Sequence, residues 1–310
     1  MNLGKSLPLD AFARDEKLMI LIGFSAFANE KIHLKGAKKH MEWQYISSKA
    51  NALVVRLAKL KDKKYRKAEG LFRFDGIKLF CEAVKNGAPI SYVLVSESAS
   101  DEIKRTAEES GVDAAFYILS ESAFEKLTDE LSPEGIITVC SELKNIEKND
   151  DYSSLASRVS KKRVLMLESV RDAGNLGTVI RTAKAFGMDM LIISSDCADL
   201  YNPKTVRGAM GALFTQSIAV TDSVSECISA LRQNGARVFA AALRPDAKKL
   251  GSFELKLGDA IVIGNEGHGL SADVIDACDE CVYIPMQEGS ESLNASIAAS
   301  VCMWELYKIK

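Results

Sequence analysis

Apolar and polar positions follow two rhythms along this chain, one of period 3.6 and one of runs suited to strands, and the changes between them divide it. Between Lys49 and Leu60, Leu53, Leu57 and Leu60 recur at helical spacing while Lys49, Arg56, Lys59 and Lys63 project elsewhere, which predicts an amphipathic helix with one basic face. Strand-like FRFDG (72–76), helix-like IKLFCEAVKNG, strand-like ISYVLVSE, a charged helix through Glu109 and the strand AAFYILS follow. Their alternation predicts an α/β domain. The segment 145–162 is polar and charged without apolar periodicity, and reads as a linker.

A second domain opens with the strand RVLMLESV (163–170), which delivers RDAGNLGTVIRTAKAFGM. A buried strand in AIVIGNEGHGL (260–270) runs into a loop crowded with glycine. Strand-like VYIP (282–285) leads through a polar loop to a helix with Leu293, Ile297, Val301 and Trp304 on one face. Ahead of Met41, the apolar run Leu18–Ala28 is too short to span a bilayer, which takes about 20 residues. The long approach to that run contains Asp10, Asp15 and Glu16, against the basic n-region of a signal peptide. Residues 1–40 therefore read as an extension, either disordered or upstream sequence taken in by an early start. The pattern that begins at Met41 favours the early start.

Composition adds little: 47% apolar and 26% charged residues are ordinary for a globular chain and exclude a fibrous or disordered one. A net charge of −2 weighs against nucleic-acid binding until its distribution is considered. Lys49, Arg56, Lys59, Lys61, Lys63, Lys64, Arg66 and Lys67 face the single acid Asp62 in one short stretch. That patch suits a phosphate backbone, although a solvated helix face has the same signature. The seven cysteines sit mostly in apolar runs, as reduced thiols of a cytosolic protein do. Cys278 and Cys281 form one C-x-x-C with no second pair or nearby His to complete a zinc site, so no metal is expected.

Candidate chemistry concentrates in the second domain. Asn175 lies at a strand-to-helix turn where an amide can cap or touch a ligand, Gly177 permits close backbone approach, and Arg181 follows on the helix. The loop Gly264, Asn265, Glu266, Gly267, His268, Gly269 lacks the spacing of a dinucleotide-binding fingerprint. His268, between two glycines, reads as exposed or beside a ligand rather than catalytic. Ser292 and Asn294 stand at a helix start, where such residues are ordinarily caps.

Taken in order, N-L-G-x-x-x-R (175–181), G-N-E-G-x-G-L (264–270) and I-P-M followed by E-S-L-N-A-S-x-A-A-S (284–300) resemble the three motifs of SpoU-type enzymes in the SPOUT superfamily. NPKTVRGAMGALF (202–214) resembles that family's segment between the first two motifs. The pattern from Asn51 to Arg66, FRFDG, and the helix ending in Asn-Gly resemble the substrate-binding domain of many SpoU/TrmH methyltransferases, which is similar to ribosomal-protein L30e. Asp75 stands where that domain usually has Glu. SPEG (132–135) with IITVCSEL resembles its closing loop and strand.

The resemblance implies an L30e-like α/β domain over 41–144, and over 163–310 a parallel-sheet SPOUT domain tied in a deep trefoil knot. It implies an S-adenosyl-L-methionine-dependent RNA methyltransferase acting on a ribose 2′-hydroxyl, of rRNA before tRNA, cytoplasmic, homodimeric through its C-terminal domain, with no membrane or metal partner. Arg181, Asn175, Glu266, Ser292 and Asn294 are the implied catalytic set. Gly264, Asn265, Gly267, Gly269, Ile284, Met286 and Leu293 would line the cofactor, with Ala241 and Ala242 on its wall. Lys49, Arg56, Lys59, Lys63, Lys64 and Arg66 would hold RNA. Two other readings are an RNA-binding protein without catalysis and a SPOUT enzyme acting on a base nitrogen. The S-L-N-A-S block favours ribose.

Overall fold

The computed structural model describes residues 42–287 and 292–309, so the run Leu18–Ala28 and the reading of residues 1–40 lie outside the described residues. The first part runs β1 (Trp43–Ile46), α1 (Ala52–Ala58), α2 (Lys63–Glu69), β2 (Leu71–Asp75), α3 (Ile77–Lys85) and β3 (Ile90–Ser96). It continues through α4 (Asp101–Glu109), β4 (Ala115–Leu119), α5 (Glu121–Glu125) and β5 (Ile136–Ser141). Its five strands order β1-β4-β3-β5-β2, with β5 antiparallel to both neighbours and the other pairings parallel.

The expected helix over 49–60 is shorter and broken. Asn51 caps α1 by accepting from the Leu53 amide, the turn 59–61 tightens to 3-10 geometry, and extended Asp62 separates it from α2. Gly70 then ends α2 in the left-handed conformation (φ 62°) that glycine adopts without steric cost.

The second part begins earlier than expected. Residues read as a linker form β6 (Ile146–Lys148), which pairs in parallel with a later strand, and α6 (Tyr152–Val159). Leu155, Ala156 and Val159 of α6 are buried, an apolar stripe too sparse to stand out among the surrounding charges. There follow β7 (Val164–Leu167), α7 (Ala173–Ala185), β8 (Met190–Ser194), α8 (Pro203–Ala209), β9 (Ile218–Thr221) and α9 (Val224–Gln233). The chain ends through β10 (Val238–Ala241), β11 (Lys248–Lys249), β12 (Ala260–Ile263), α10 (Ala272–Ala277), β13 (Glu280–Tyr283) and α11 (Ala295–Tyr307). These eight strands form an all-parallel sheet ordered β11-β13-β10-β12-β7-β8-β9-β6.

Burial on both faces explains why its strands are unbroken apolar runs. In β7, Val164 and Met166 join the cluster built with α6 and α9, while Leu165 and Leu167 join the one built with α7 and α11. That second cluster continues without a break into Phe72, Phe74, Leu79 and Phe80 of the first part. Phe72 stacks on Tyr201 with centroids 4.5 Å apart, and Phe74 packs on Phe214 at 5.6 Å. Among the described residues no helix is long and apolar enough to cross a membrane.

Candidate active site

The order of the parallel sheet reverses between β7 and β12, so the loops that leave those two strands flank a crevice where ligands of open α/β sheets bind. The loop after β7 enters α7. Its cap is Asp172, whose carboxylate accepts from the Asn175 amide at 2.8 Å, rather than Asn175 itself. The hydrogen bond from Lys204, first, and those from the backbone hold the Asp172 carboxyl below the usual range. Asn175, relieved of capping, turns its side chain outward to the other motifs. Gly177 is buried against α8, and a Cβ there would sit 2.6 Å from the Thr205 carbonyl oxygen.

The glycine loop after β12 is a tight return. Asn265 and Gly269 exchange both backbone hydrogen bonds, at 3.0 and 2.9 Å, and a Cβ on Gly264 would lie 2.3 Å from the Gly269 carbonyl carbon. Asn265 holds the loop inside and out: its Oδ1 accepts from the Gly267 and His268 amides, and its Nδ2 donates to the Ser169 carbonyl at 2.7 Å. Glu266 and His268 are exposed at the tip.

Asn294 caps α11, its Oδ1 accepting from the Ser296 and Ile297 amides, as a helix-start Asn ordinarily does. Its Nδ2 is left over and donates to the Asn175 Oδ1 at 3.0 Å, while Asn175 Nδ2 donates to Glu266 at 2.8 Å. One amide on α7 thus joins all three segments. Ser292 and Leu293 are exposed immediately before Asn294, and Ile284 and Met286 are half-buried just beyond β13. Ala241 and Ala242, half-buried at the end of β10, stand beside β13 in the sheet.

Arg181 is not brought into this cluster. It lies six residues beyond Asn175 on α7, about 9 Å along the axis and about a third of a turn around it. Its side chain is exposed, and it has no hydrogen-bond or ion-pair partner among the described residues. An exposed guanidinium offers a planar fork for a phosphate or carboxylate.

The basic segment divides. Lys49, Lys59, Lys63 and Lys64 are exposed, and the ammonium groups of Lys59 and Lys64 lie 5.4 and 6.0 Å from the Tyr65 ring centroid. Arg56 is paired with Glu69 at 2.6 Å. Arg66, expected to touch RNA, is instead 5% exposed, with its guanidinium spent on the Leu60 and Lys61 carbonyls and on Asp199. Helical phase accounts for Lys64, two residues from Arg66 and so on the opposite face of α2, whereas Lys63, three residues away, shares the Arg66 face and stays exposed at the helix start. A cavity of about 510 Å³ also opens in the first part, over Ile77, Ser98, Ile103 and Glu134, and does not include any residue of the three-motif cluster.

Sequence reasoning missed the residues that fasten the glycine loop. Glu168 accepts from both the Ser271 amide (2.8 Å) and hydroxyl (2.7 Å), and Ser169 adopts a left-handed conformation (φ 55°). The Ser169 hydroxyl donates to Asp196 at 2.5 Å. Burial pushes the Asp196 carboxyl up, but hydrogen bonds from Ser169, Ser194 and Arg171 outweigh it and leave the group below its usual range. Partners some 100 positions apart carry no local signal; the only hint was the acidic residue ending a buried strand. Cys278 is buried and its thiol is pushed up to about 12 by that burial first, as fits a core residue.

Residues 162–304 match the SpoU rRNA Methylase family, and residues 51–138 match the MRM3-like substrate binding domain. A 23S rRNA (guanosine(2553)-2′-O)-methyltransferase, RlmP of Bacillus subtilis, is 31% identical over 264 residues, covering 84% of this chain and 98% of that one. RlmB of Coxiella burnetii, a 23S rRNA (guanosine-2′-O-)-methyltransferase, is 32% identical over 62% of this chain and 76% of its own length. The crystal structure of the SpoU methyltransferase AviRb from Streptomyces viridochromogenes, in complex with the cofactor AdoMet, superposes with a TM-score of 0.71. It is 25% identical and covers 83% of this chain and 97% of that one.

Proposed function

This chain belongs to the SpoU rRNA methylase family, and on that premise we propose that it is an S-adenosylmethionine-dependent methyltransferase of a ribose 2′-hydroxyl in structured ribosomal RNA. The observation that carries the reading is the Asn175 amide, which gathers the three motif loops into one polar cluster at the switch point of the sheet. The 23S rRNA activity in the names of two relatives favours rRNA over tRNA.

The loops suit the cofactor. A glycine loop with little side-chain bulk leaves main-chain groups for an adenosyl moiety, while Ile284, Met286 and Leu293 supply apolar surface that is half-buried or exposed. When bound, S-adenosylmethionine supplies an electrophilic methyl on a sulfonium. The protein must then hold a ribose oxygen in line and ease the loss of its proton. A guanidinium has no lone pair to spare for taking up a proton, so Arg181 serves as a clamp on the neighbouring phosphate and a stabiliser of developing alkoxide rather than as a base. Glu266, Asn294 and Ser292 orient the nucleotide, with Asn175 setting the first two.

A homodimer is part of the reading, because Arg181 and the Asn175 cluster are separate within one protomer. Leu293, Ile297, Trp304 and Tyr307 form an exposed apolar stripe on and just before α11 (37–51% exposed) that starts beside Asn294. Trp304 and Tyr307 pack on Phe186 of the α7 end, joining that stripe to the Arg181 helix. The trefoil knot of the family belongs to the same proposal. Incubation with labelled cofactor and either rRNA or tRNA tests the substrate class: label in rRNA is expected, and label in tRNA alone would reassign it.

A further inference from the structure

The segment 199–214 lies outside the three-motif cluster, yet it touches both parts of the molecule. Asp199 faces the first part. Its Oδ2 accepts from Arg66 Nη2 at 2.5 Å and Nε at 3.1 Å, and its Oδ1 accepts from the Tyr201 amide at 3.0 Å. Arg66 Nη1 simultaneously donates to the Leu60 and Lys61 carbonyls at 2.7 and 2.6 Å, gripping the turn that carries Lys59 and Lys61. Tyr201 lays its ring on Phe72, and its hydroxyl accepts from the Leu143 amide at 2.8 Å. Arg207 of α8 pairs with Glu130 at 2.7 Å. Further along, Gly211 is so close to α3 that a Cβ would stand 2.4 Å from Glu82 Oε2.

The same segment is pressed onto the catalytic helix. Gly177 of α7 meets the Thr205 carbonyl and the Gly208 Cα with no room for a methyl group, and Lys204 pairs with the α7 cap Asp172 at 2.8 Å. A continuous path of tight contacts therefore runs from Lys63 and Lys64 through α2 and Arg66 to Asp199, along α8, across Gly208 and Gly177, and along α7 to Asn175. Packed interiors transmit position because side chains interdigitate with few voids. Exposed Lys63 also lines a cleft of about 260 Å³ shared with Lys148, Ser195 and Asp199, so RNA lying on it meets the second part directly.

We propose that Arg66 and Asp199 are a positioning pair for methyl transfer: they fix the substrate domain on the catalytic domain, so that the lysines of α2 present RNA at a set distance from the Asn175 cluster. The proposal rests on the methyltransferase reading for its consequence and on geometry alone for the lock. Arg66 turns its charge inward to Asp199, Lys64 on the opposite face of α2 turns its charge outward, and Lys63 lies exposed at the cleft between the two parts. One short helix serves both purposes, which couples the RNA grip rigidly to the site. A domain hung on a flexible linker would give the acceptor ribose a range of distances, and a misplacement of about 1 Å can cost about 100-fold in rate.

Spin labels on ketone-bearing residues at exposed Glu109 and Lys256 report the distance between the parts without touching the native cysteines. The full-length wild type should give one narrow distance distribution. Asp199→Asn should broaden it and lower turnover of structured rRNA at saturating RNA by about 100-fold, with the Kd for S-adenosylmethionine unchanged. Tyr201→Phe, which keeps the ring stack and loses the bond from Leu143, should do the same more mildly and serves if the first variant fails to fold. Three results would overturn the proposal: a broad distribution in the wild type, a narrow one in Asp199→Asn, or full turnover by a variant whose distribution has broadened. A wild type that transfers no methyl to any RNA would sink the methyltransferase reading, and the distance distributions would still decide the lock.

Discussion

Asn175 donates its side-chain amide to Glu266 at 2.8 Å, across 91 positions of sequence. The same amide's oxygen accepts from Asn294, so both of its polar ends are committed to keeping the motif loops together. Loss of a preorganised donor from a site of this kind costs about 100- to 1,000-fold in kcat. Asn175→Ala should fall in that range in a single-turnover assay. Asn175→Asp should be worse than Asn175→Ala, because it sets a second carboxylate against Glu266. Equal activities would show that the bridge is incidental.

Arg181 has no partner among the described residues of the protomer, which leaves its guanidinium free for an RNA phosphate. Arg181→Ala should abolish methyl transfer while calorimetric S-adenosylmethionine affinity persists. Arg181→Lys should rescue poorly, since an ammonium lacks the bidentate fork. Retained turnover by Arg181→Ala would refute the assignment.

The basic segment makes opposite predictions for neighbouring residues. Replacing Lys59, Lys63 and Lys64 with Gln should weaken RNA binding and flatten its salt dependence by about 0.7 to 0.9 in log–log slope for each phosphate no longer neutralised, with the melting temperature held. Arg66→Ala should instead destabilise the fold by about 1–3 kcal/mol, the cost of leaving the half-buried Asp199 carboxylate and the Leu60 and Lys61 carbonyls without their donor. Its 5% exposure is the reason. Salt-dependent binding curves and thermal melts on the same variants separate the two effects.

That contrast shows where sequence reading stopped. The strands over 90–96 and 164–167 and the motif loops were legible because largely apolar runs and crowded glycines are local signals. Which way Arg66 points was not legible, since it depends on where a short helix docks on residues more than 130 positions away. β6 and α6 were hidden for a related reason: a three-residue edge strand and a helix with few apolar positions draw their stability from the sheet they join. For Asn175 the sequence leaves capping and ligand contact open, and the structure gives the cap to Asp172, three residues earlier at the helix start.

Of the apolar stripe that spacing predicts on α11, Leu293, Ile297 and Trp304 face outward and Val301 is half-buried against the core, while Ala295, Ala299, Cys302, Met303 and Leu306 are buried. If it is the dimer face, Ile297→Glu with Trp304→Glu should give monomers by light scattering and lose methyl transfer, with the fold intact by circular dichroism. An active monomer would contradict the shared site.

Methylation of a ribose oxygen by the three-loop cluster underlies all of these expectations. It is tested most directly by nuclease digestion and mass spectrometry of rRNA from cells with and without the gene, repeated after supplying wild-type protein or Arg181→Ala. One 2′-O-methylated nucleoside should disappear with the gene, return with the wild type and stay absent with Arg181→Ala. A methyl group found on a base, or an unchanged nucleoside pattern, would contradict it.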